Sequence, residues 1–247
     1  IVGRGRGTNT TGSTVPLEDG LVLSFERMNR VVSMDAANRA VRVEPGALNQ
    51  AVQDAAAQHG LFWPPDPTSA AYCTVGGNIA LNAAGPRALK YGATRENVLG
   101  LVAVTGNGDE IHTGTYTTKG VVGYDLTRLL IGSEGTLAIV TQATLRLTPL
   151  PESRRTLQAV YDNVRAAAAA VSRLMAQPVT PCALEFMDAA AIEMIRNYSQ
   201  AELPRGAGAL LMIELDGPEA AMDAAVAKIS AAARGEGLLN LTAAGNR

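Results

Sequence analysis

A loop that sets Gly3, Gly5, Gly7 and Gly12 among Thr8, Thr10, Thr11 and Ser13 opens the chain, directly after the apolar pair Ile1–Val2. Alternate glycines admit positive φ and let the main chain lie against a ligand with no β-carbon between them. Successive amides can then converge on an anion, with the hydroxyls as further donors, and a pyrophosphate suits such a nest. Taken alone, the loop is equally a glycine-rich surface turn. Its context excludes one reading. A Rossmann fingerprint needs Gly-x-Gly-x-x-Gly opening a helix, whereas Pro16 and the apolar segment Leu21–Phe25 follow here. The order is strand, loop, strand, and a nicotinamide-binding βαβ unit does not fit it.

The 247 residues allow one large domain or two ordinary ones. A formal net charge of -2 and 4% aromatic residues provide neither a basic face nor stacking platforms, so no nucleic acid is expected as partner. Cys73 and Cys182 alone make no disulfide framework or metal site, which fits a reducing, cytoplasmic setting. No run reaches the roughly 18 apolar residues of a membrane span, so no transmembrane segment is expected.

Along the chain, strand-like segments fall at Leu21–Phe25, Val31–Met34 and Val41–Val43, the last two joined by the turn-prone Asp35–Asn38. Pro45–Gly46 starts a helix with Leu48, Val52 and Ala55–Ala56 at helical spacing, ending at His59–Gly60. Residues 63–92 are rich in proline and glycine and show no long periodic segment, and so read as buried irregular chain. Strands return at Val98–Thr105, Glu110–Thr113 and Leu137–Leu147, with a short helix at Asp125–Leu130. Pro149 and Pro151 then mark a linker, and the pattern changes. Strands at Leu157–Val160, Cys182–Phe186 and Ala209–Leu215 alternate with helices at Val164–Ala176, Ala189–Tyr198 and Pro218–Arg234. The expected organisation is α+β with domains at 1–150 and 151–247. The half-strand at Ile1–Val2 and the apolar run before Arg247 read as the ends of an internal fragment of a longer protein.

Two further small-residue segments could line a ligand. Pro64–Ser69, Cys73–Asn78 and Asn82–Gly85 form a second cradle, with Gly76–Gly77 as a pair of approachable amides. Gly132-Ser-Glu-Gly-Thr136 is a sharp turn before an apolar strand, able to press backbone against a flat ring. Each is also an ordinary loop if read by itself.

The joint pattern is what identifies a family. Arg4-Gly-Arg-Gly-Thr8, Pro65-Asp-Pro-Thr-Ser69, Thr74-Val-Gly-Gly-Asn78, Lys90-Tyr-Gly92 and Gly123-Tyr-Asp-Leu126 through Gly132-Ser-Glu-Gly-Thr136 occur in one order. The chain resembles the PCMH-type FAD-binding domain of the vanillyl-alcohol oxidase family. Within it, the resemblance is to FAD-linked 2-hydroxy-acid dehydrogenases such as the glycolate oxidase D subunit and bacterial D-lactate dehydrogenases. It is dense over residues 1–150 and loose beyond, through Ala183-Leu-Glu-Phe-Met-Asp188.

That resemblance implies an FAD cofactor and a PCMH-type domain that lacks its N-terminal part, followed by the start of a substrate or cap domain. Arg4, Gly5, Arg6, Gly7 and Thr8, with Gly12 and Ser13, would hold the FAD pyrophosphate. Pro67, Thr68 and Ser69 would line the path to the isoalloxazine. Thr74, Gly76, Gly77 and Asn78 would pack against the dinucleotide, and Glu134, Gly135, Ile139 and Val140 would lie at its adenine and ribose end. The implied reaction is oxidation of a short 2-hydroxy acid, glycolate or D-lactate, by hydride transfer to flavin. An electron acceptor or partner redox subunit would complete it, with attachment to the inner membrane only through that partner. The same cofactor domain also serves 2-hydroxyglutarate dehydrogenases and alkyl-ether lipid synthases, and a non-catalytic nucleotide- or anion-binding module is the rival from another class.

The sequence departs from the family at Ala84 and Ala138, where relatives often carry glycine. Cys73 stands where certain relatives link flavin through sulfur, but it is also an ordinary small buried residue. His59 and His112 are the only histidines and have no histidine neighbour, which argues against a metal or catalytic role. Alternation sends Arg4 and Arg6 to opposite faces, so at most one points inward. Arg87, Lys90 and Lys119 are the cations to watch beside a substrate carboxylate, while Tyr91 and Tyr124 read as packing residues with satisfied hydroxyls. The base and the metal motif of the resembling dehydrogenases are expected beyond Arg247, leaving the catalytic residues unassigned. The fragment is expected to bind FAD poorly and to catalyse nothing alone.

Overall fold

A computed structural model describes residues 1–198, 204 and 206–243. The chain divides into two compact units, Ile1–Leu150 and Pro151–Arg247. In the first, β1 (Val2–Arg4) and β2 (Val22–Ser24) pair in parallel across the glycine-rich loop. The hairpin β3 (Val31–Asp35) and β4 (Ala40–Val43) turns where the Asp35 carboxylate accepts from the Asn38 amide at 3.0 Å and from its side chain at 2.8 Å. After α1 (Asn49–Ala57) come β5 (Leu61–Phe62), α2 (Val75–Leu81), α3 (Ala88–Tyr91) and a 3-10 turn, Thr94–Asn97. β6 (Val98–Thr105), β7 (Glu110–Gly114), α4 (Leu126–Leu130), β8 (Ala138–Arg146) and β9 (Thr148–Pro149) complete the unit.

The main sheet is antiparallel, in the order β3-β4-β8-β6-β7, so the last long strand lies between earlier ones. Its inner face presents Val41, Val43, Leu101, Ala103, Ala143 and Leu145 to α1, α2 and the buried Trp63. Two side-chain amides, of the half-buried Gln53 and the buried Asn97, carry the polar side of this core. Gln53 bonds the main chain of Trp63 in both directions, donating to its carbonyl at 2.6 Å and accepting from its amide at 3.2 Å. Asn97 accepts the Trp63 indole N–H on its main-chain carbonyl at 3.0 Å, while its side chain donates to the carbonyls of Tyr91 (2.9 Å) and Ala93 (2.8 Å).

Proline and glycine content hides α2 from a periodicity reading of residues 63–92. Two adjacent glycines cost a helix about 2 kcal/mol relative to alanine. The structure offsets this locally: Thr74 caps the helix, its hydroxyl accepting from the Gly77 amide at 3.3 Å.

The second unit runs β10 (Ser153–Tyr161), α5 (Val164–Ala176), β11 (Ala183–Asp188), α6 (Ala189–Tyr198), β12 (Ala209–Gly217), α7 (Glu219–Ala233) and β13 (Leu238–Ala243). Its antiparallel sheet is ordered β11-β12-β10-β13, the split β-α-β arrangement with α6 added. Leu157, Ala159, Leu211 and Ile213 alternate onto the face covered by Ala167, Ala170 and Leu174 of α5 and by Met222 and Ile229 of α7. The buried Tyr161 donates its hydroxyl to the Ala233 carbonyl at 2.7 Å, capping the end of α7. β13 has no counterpart among the expected strands, since its apolar residues do not alternate cleanly. No helix among the described residues is long and apolar enough to cross a membrane.

Glu44, at the end of β4, is buried and receives the guanidinium of Arg30 at 2.7 and 3.1 Å and the Arg30 amide at 2.9 Å. These bonds hold its carboxyl below the ordinary glutamate value of 4.5. A carboxyl lowered in the folded state stabilises fully above the unfolded value and loses that contribution as pH falls through the folded one. Acid unfolding followed by circular dichroism is expected to show this loss below about pH 4.5. Glu44→Gln should be less stable than wild type at pH 7, with the difference vanishing in acid; a pH-independent difference would contradict it.

Candidate cofactor site

Within the first unit, four segments enclose a cavity of about 420 Å³. They are the glycine-rich loop, the Cys73–Asn78 segment with the start of α2, the turn Ser133–Gly135, and the first residues of β8. Phe25, Pro45, Pro67 and Ser69, with Leu81, Ala83 and Leu130, add to its wall.

The loop reaches this position because glycine removes the side chains that would block it. A β-carbon on Gly5 would overlap the hydroxyl of Thr74, and one on Gly3 would lie 3.3 Å from the Phe25 ring. Gly7 has φ +65°, a conformation that L side chains rarely adopt. Asn9 staples the loop, donating to the Ser13 hydroxyl at 2.5 Å and the Thr11 hydroxyl at 3.2 Å. Among the described residues, no carbonyl accepts from the amides of Gly5, Arg6, Gly7 or Thr8. Four consecutive N–H groups beside a cavity suit an anionic ligand.

The two other walls are built differently from the sequence expectation. The Gly76 amide donates to the Pro45 carbonyl at 2.8 Å and the Gly77 amide to Thr74, so neither is an open donor. What Gly76 provides is closeness: a β-carbon there would stand 2.6 Å from that of Pro45. In the 132–136 turn, the amides of Gly132 and Glu134 each donate at 2.9 Å, to the Ile79 and Ala80 carbonyls at the end of α2. The turn therefore caps that helix. Glu134 itself adopts φ +53° and is exposed.

Most residues marked by the sequence meet here: Gly5, Arg6, Gly7, Thr8 and Ser13 on the loop, Pro67 and Ser69 on the second segment. Thr74, Gly76, Gly77 and Asn78 line the third wall, and Glu134, Gly135, Ile139 and Val140 the fourth. Arg4, Gly12 and Thr68 are not among the lining residues. Of the two loop arginines, Arg6 reaches the cavity, while the Arg4 side chain runs back beside Gly7. Arg87 sits against Asp66 at 3.4 Å, and Tyr124 is 96% exposed rather than packed, because its loop lies outside the core. Tyr91 does pack, edge-on to Phe62 at 5.3 Å. Phe25, Pro45 and Leu130 line the cavity without any signal in the sequence, since they are ordinary apolar residues at element ends.

Asn78 supplies the fit test for a dinucleotide. It is 3% exposed and lines the cavity, and its side-chain nitrogen has no hydrogen-bond partner. A buried unsatisfied donor costs about 1–3 kcal/mol, so a ligand acceptor is the expected remedy. Open amides, small-residue walls and this donor fit the phosphates and polar edges of FAD. No group of three or more histidine, cysteine or acidic residues among those described could hold a metal.

Comparison with known proteins agrees with this architecture. Residues 1–114 match the family described as FAD binding domain, and residues 150–246 match FAD linked oxidases, C-terminal domain. The chain is 48% identical over 231 residues to glycolate oxidase subunit GlcD of Bacillus subtilis, covering 94% of this chain and 49% of that protein. It is 44% identical over 196 residues to D-lactate dehydrogenase of Archaeoglobus fulgidus, covering 79% and 44% respectively. It thus spans about half the length of these relatives. A solved structure of alkyldihydroxyacetonephosphate synthase shares the fold at TM-score 0.79 and 20% identity, over 94% of this chain and 46% of that one. With one matched family on each unit, the chain belongs to the FAD-linked oxidases.

Proposed function

We propose that the chain is the cofactor-holding part of an FAD-dependent enzyme that oxidises a short 2-hydroxy acid, glycolate or D-lactate. The observation that carries this reading is that Gly5–Thr8, whose amides meet no protein carbonyl among the described residues, line the cavity together with the unpartnered side-chain nitrogen of Asn78. The names of the relatives, a glycolate oxidase subunit and a D-lactate dehydrogenase, supply the substrate class.

In this reading the Gly5–Thr8 amides and the Ser13 hydroxyl bind the pyrophosphate, with Arg6 adding positive charge. Arg4 and Gly12 shape the loop from outside. Pro67 and Ser69 line the path to the ring system and Thr68 supports them. Thr74 and Gly76 fix the distance between loop and helix, Asn78 donates a side-chain hydrogen bond, and Glu134, Gly135, Ile139 and Val140 close the far end. Bound FAD supplies the hydride acceptor for the alcohol carbon. The protein's part is to hold that acceptor in place and to exclude water. A partner redox subunit would take the electrons onward, on the cytoplasmic side of the inner membrane.

The test is retention of FAD by the purified chain, measured by ultrafiltration and flavin absorbance. Saturable, weak binding with no turnover of glycolate or D-lactate is expected. No saturable binding at millimolar FAD would overturn the reading, as would ADP and FAD binding equally well, which would indicate a plain nucleotide module.

A further inference from the structure

Arg95 does not line the cavity and belongs to none of the sequence motifs, yet it connects two of the cavity's walls. Its main-chain amide donates to the Asn82 side-chain oxygen at 2.9 Å, and its guanidinium donates through Nη2 to the Ile131 carbonyl at 3.2 Å. Asn82 is the residue after α2 and adopts the left-handed conformation, φ 48°. Ile131 precedes the Gly132–Gly135 turn. Beyond Asn82 the chain returns to the cavity at Ala83, and beyond Ile131 it returns at Ser133.

The junction is tight. A β-carbon on Gly132 would stand 3.3 Å from that of Asn82 and 3.4 Å from the Arg95 Nη2, and Gly132 has φ +86°. Helix end, turn and guanidinium therefore move together or not at all. The two amide bonds from Gly132 and Glu134 to the end of α2 fix the turn along the helix axis. Arg95 adds a tie from the 3-10 turn, which is itself closed by the Glu96 carboxylate accepting from the Ala93 amide at 2.9 Å. One donor of the guanidinium, Nε, is buried and has no protein acceptor. The group is held on the turn by the single Nη2 bond, made at a reach one bond longer than that of a lysine ammonium.

We propose that Arg95 is a positioning residue that sets the gap between α2 and the Gly132–Gly135 turn, and through that gap the affinity for the flavin dinucleotide. The inference rests on the cofactor assignment above. It needs no contact between Arg95 and the ligand, because Ala80, Leu81 and Ala83 on one side and Ser133, Glu134 and Gly135 on the other carry the effect. A guanidinium removed from this junction leaves the Ile131 carbonyl without its donor and lets the turn drift from the helix end.

The experiment compares FAD retention by wild type, Arg95→Ala and Arg95→Lys, with thermal unfolding of each in the absence of ligand. Arg95→Ala is expected to bind FAD at least tenfold more weakly. Added methylguanidinium should restore most of that affinity, and Arg95→Lys should remain several-fold weaker while folded. Rescue by a free guanidinium is the outcome that a general loss of stability would not give. Affinity within twofold of wild type in either variant overturns the inference while leaving the cofactor assignment intact. Should Arg95→Ala fail to fold, Arg95→Lys alone decides on the same criterion. Wild-type protein that binds no FAD overturns both.

Discussion

Replacing Gly5 by alanine is expected to weaken flavin binding by roughly 10–100-fold, the equivalent of about 1–3 kcal/mol of overpacking. The new methyl would overlap the Thr74 hydroxyl, which is not a movable surface group. Thr74 is 4% exposed, and its oxygen caps α2 by accepting from the Gly77 amide. Either the loop retreats and carries its four open amides away from the cavity, or Thr74 turns and the cap is lost. Both outcomes spoil the site. Gly106→Ala is the matching control, because its β-carbon would meet nothing within 4 Å and its φ is not positive. Equal FAD affinity in Gly5→Ala and wild type, measured by ultrafiltration, would show that the loop is not the phosphate cradle.

The second large effect concerns stability. Asn97→Ala should destabilise the first unit by about 3–5 kcal/mol, from several buried groups losing partners at about 1–3 kcal/mol each. The lost side chain donates to the Tyr91 and Ala93 carbonyls and accepts from the Arg146 guanidinium at 3.1 Å. Arg146 already has a buried Nε with no partner, so little is available to replace the bond. At about 2–4 °C per kcal/mol for a chain of this size, the melting midpoint should fall by about 10 °C. Asn97→Asp retains the acceptor for Arg146 and should recover part of the loss. A shift of less than about 3 °C in Asn97→Ala would mean that the junction is satisfied in another way.

The strongly periodic elements were legible in the sequence. α5 and β6 stand where apolar spacing puts them, Val164–Ala176 and Val98–Thr105, because each packs one stripe or face on a core. α2 was not legible, since its stability comes from a cap and from tertiary bonds that a window of sequence does not contain. Of the loop arginines, Arg6 is among the residues that line the cavity and Arg4 is not. Gly76 and Gly77 were readable as small but not as engaged donors, because their acceptors, Pro45 and Thr74, belong to the fold. Tyr124 failed for a related reason: an aromatic in a glycine-flanked loop carries no mark of whether a core lies beneath it. Arg95 carries no sequence signal at all, since its partners are 13 and 36 residues away.

The order of strands in the first unit also dictates when the site can exist. β4 finds its second neighbour in β8, with Val43 opposite Ala143, and the turn that caps α2 lies just before that strand. A ribosome adding about 5–20 residues per second needs roughly 5–20 s to cover that separation. During that interval the glycine-rich loop has been synthesised but its enclosure has not, and one edge of β4 stays unpaired. Such an edge is a template for wrong pairing. The nascent chain should accordingly depend on holdase chaperones until β8 docks, and cofactor capture should be a late event in biogenesis rather than a nucleus for folding.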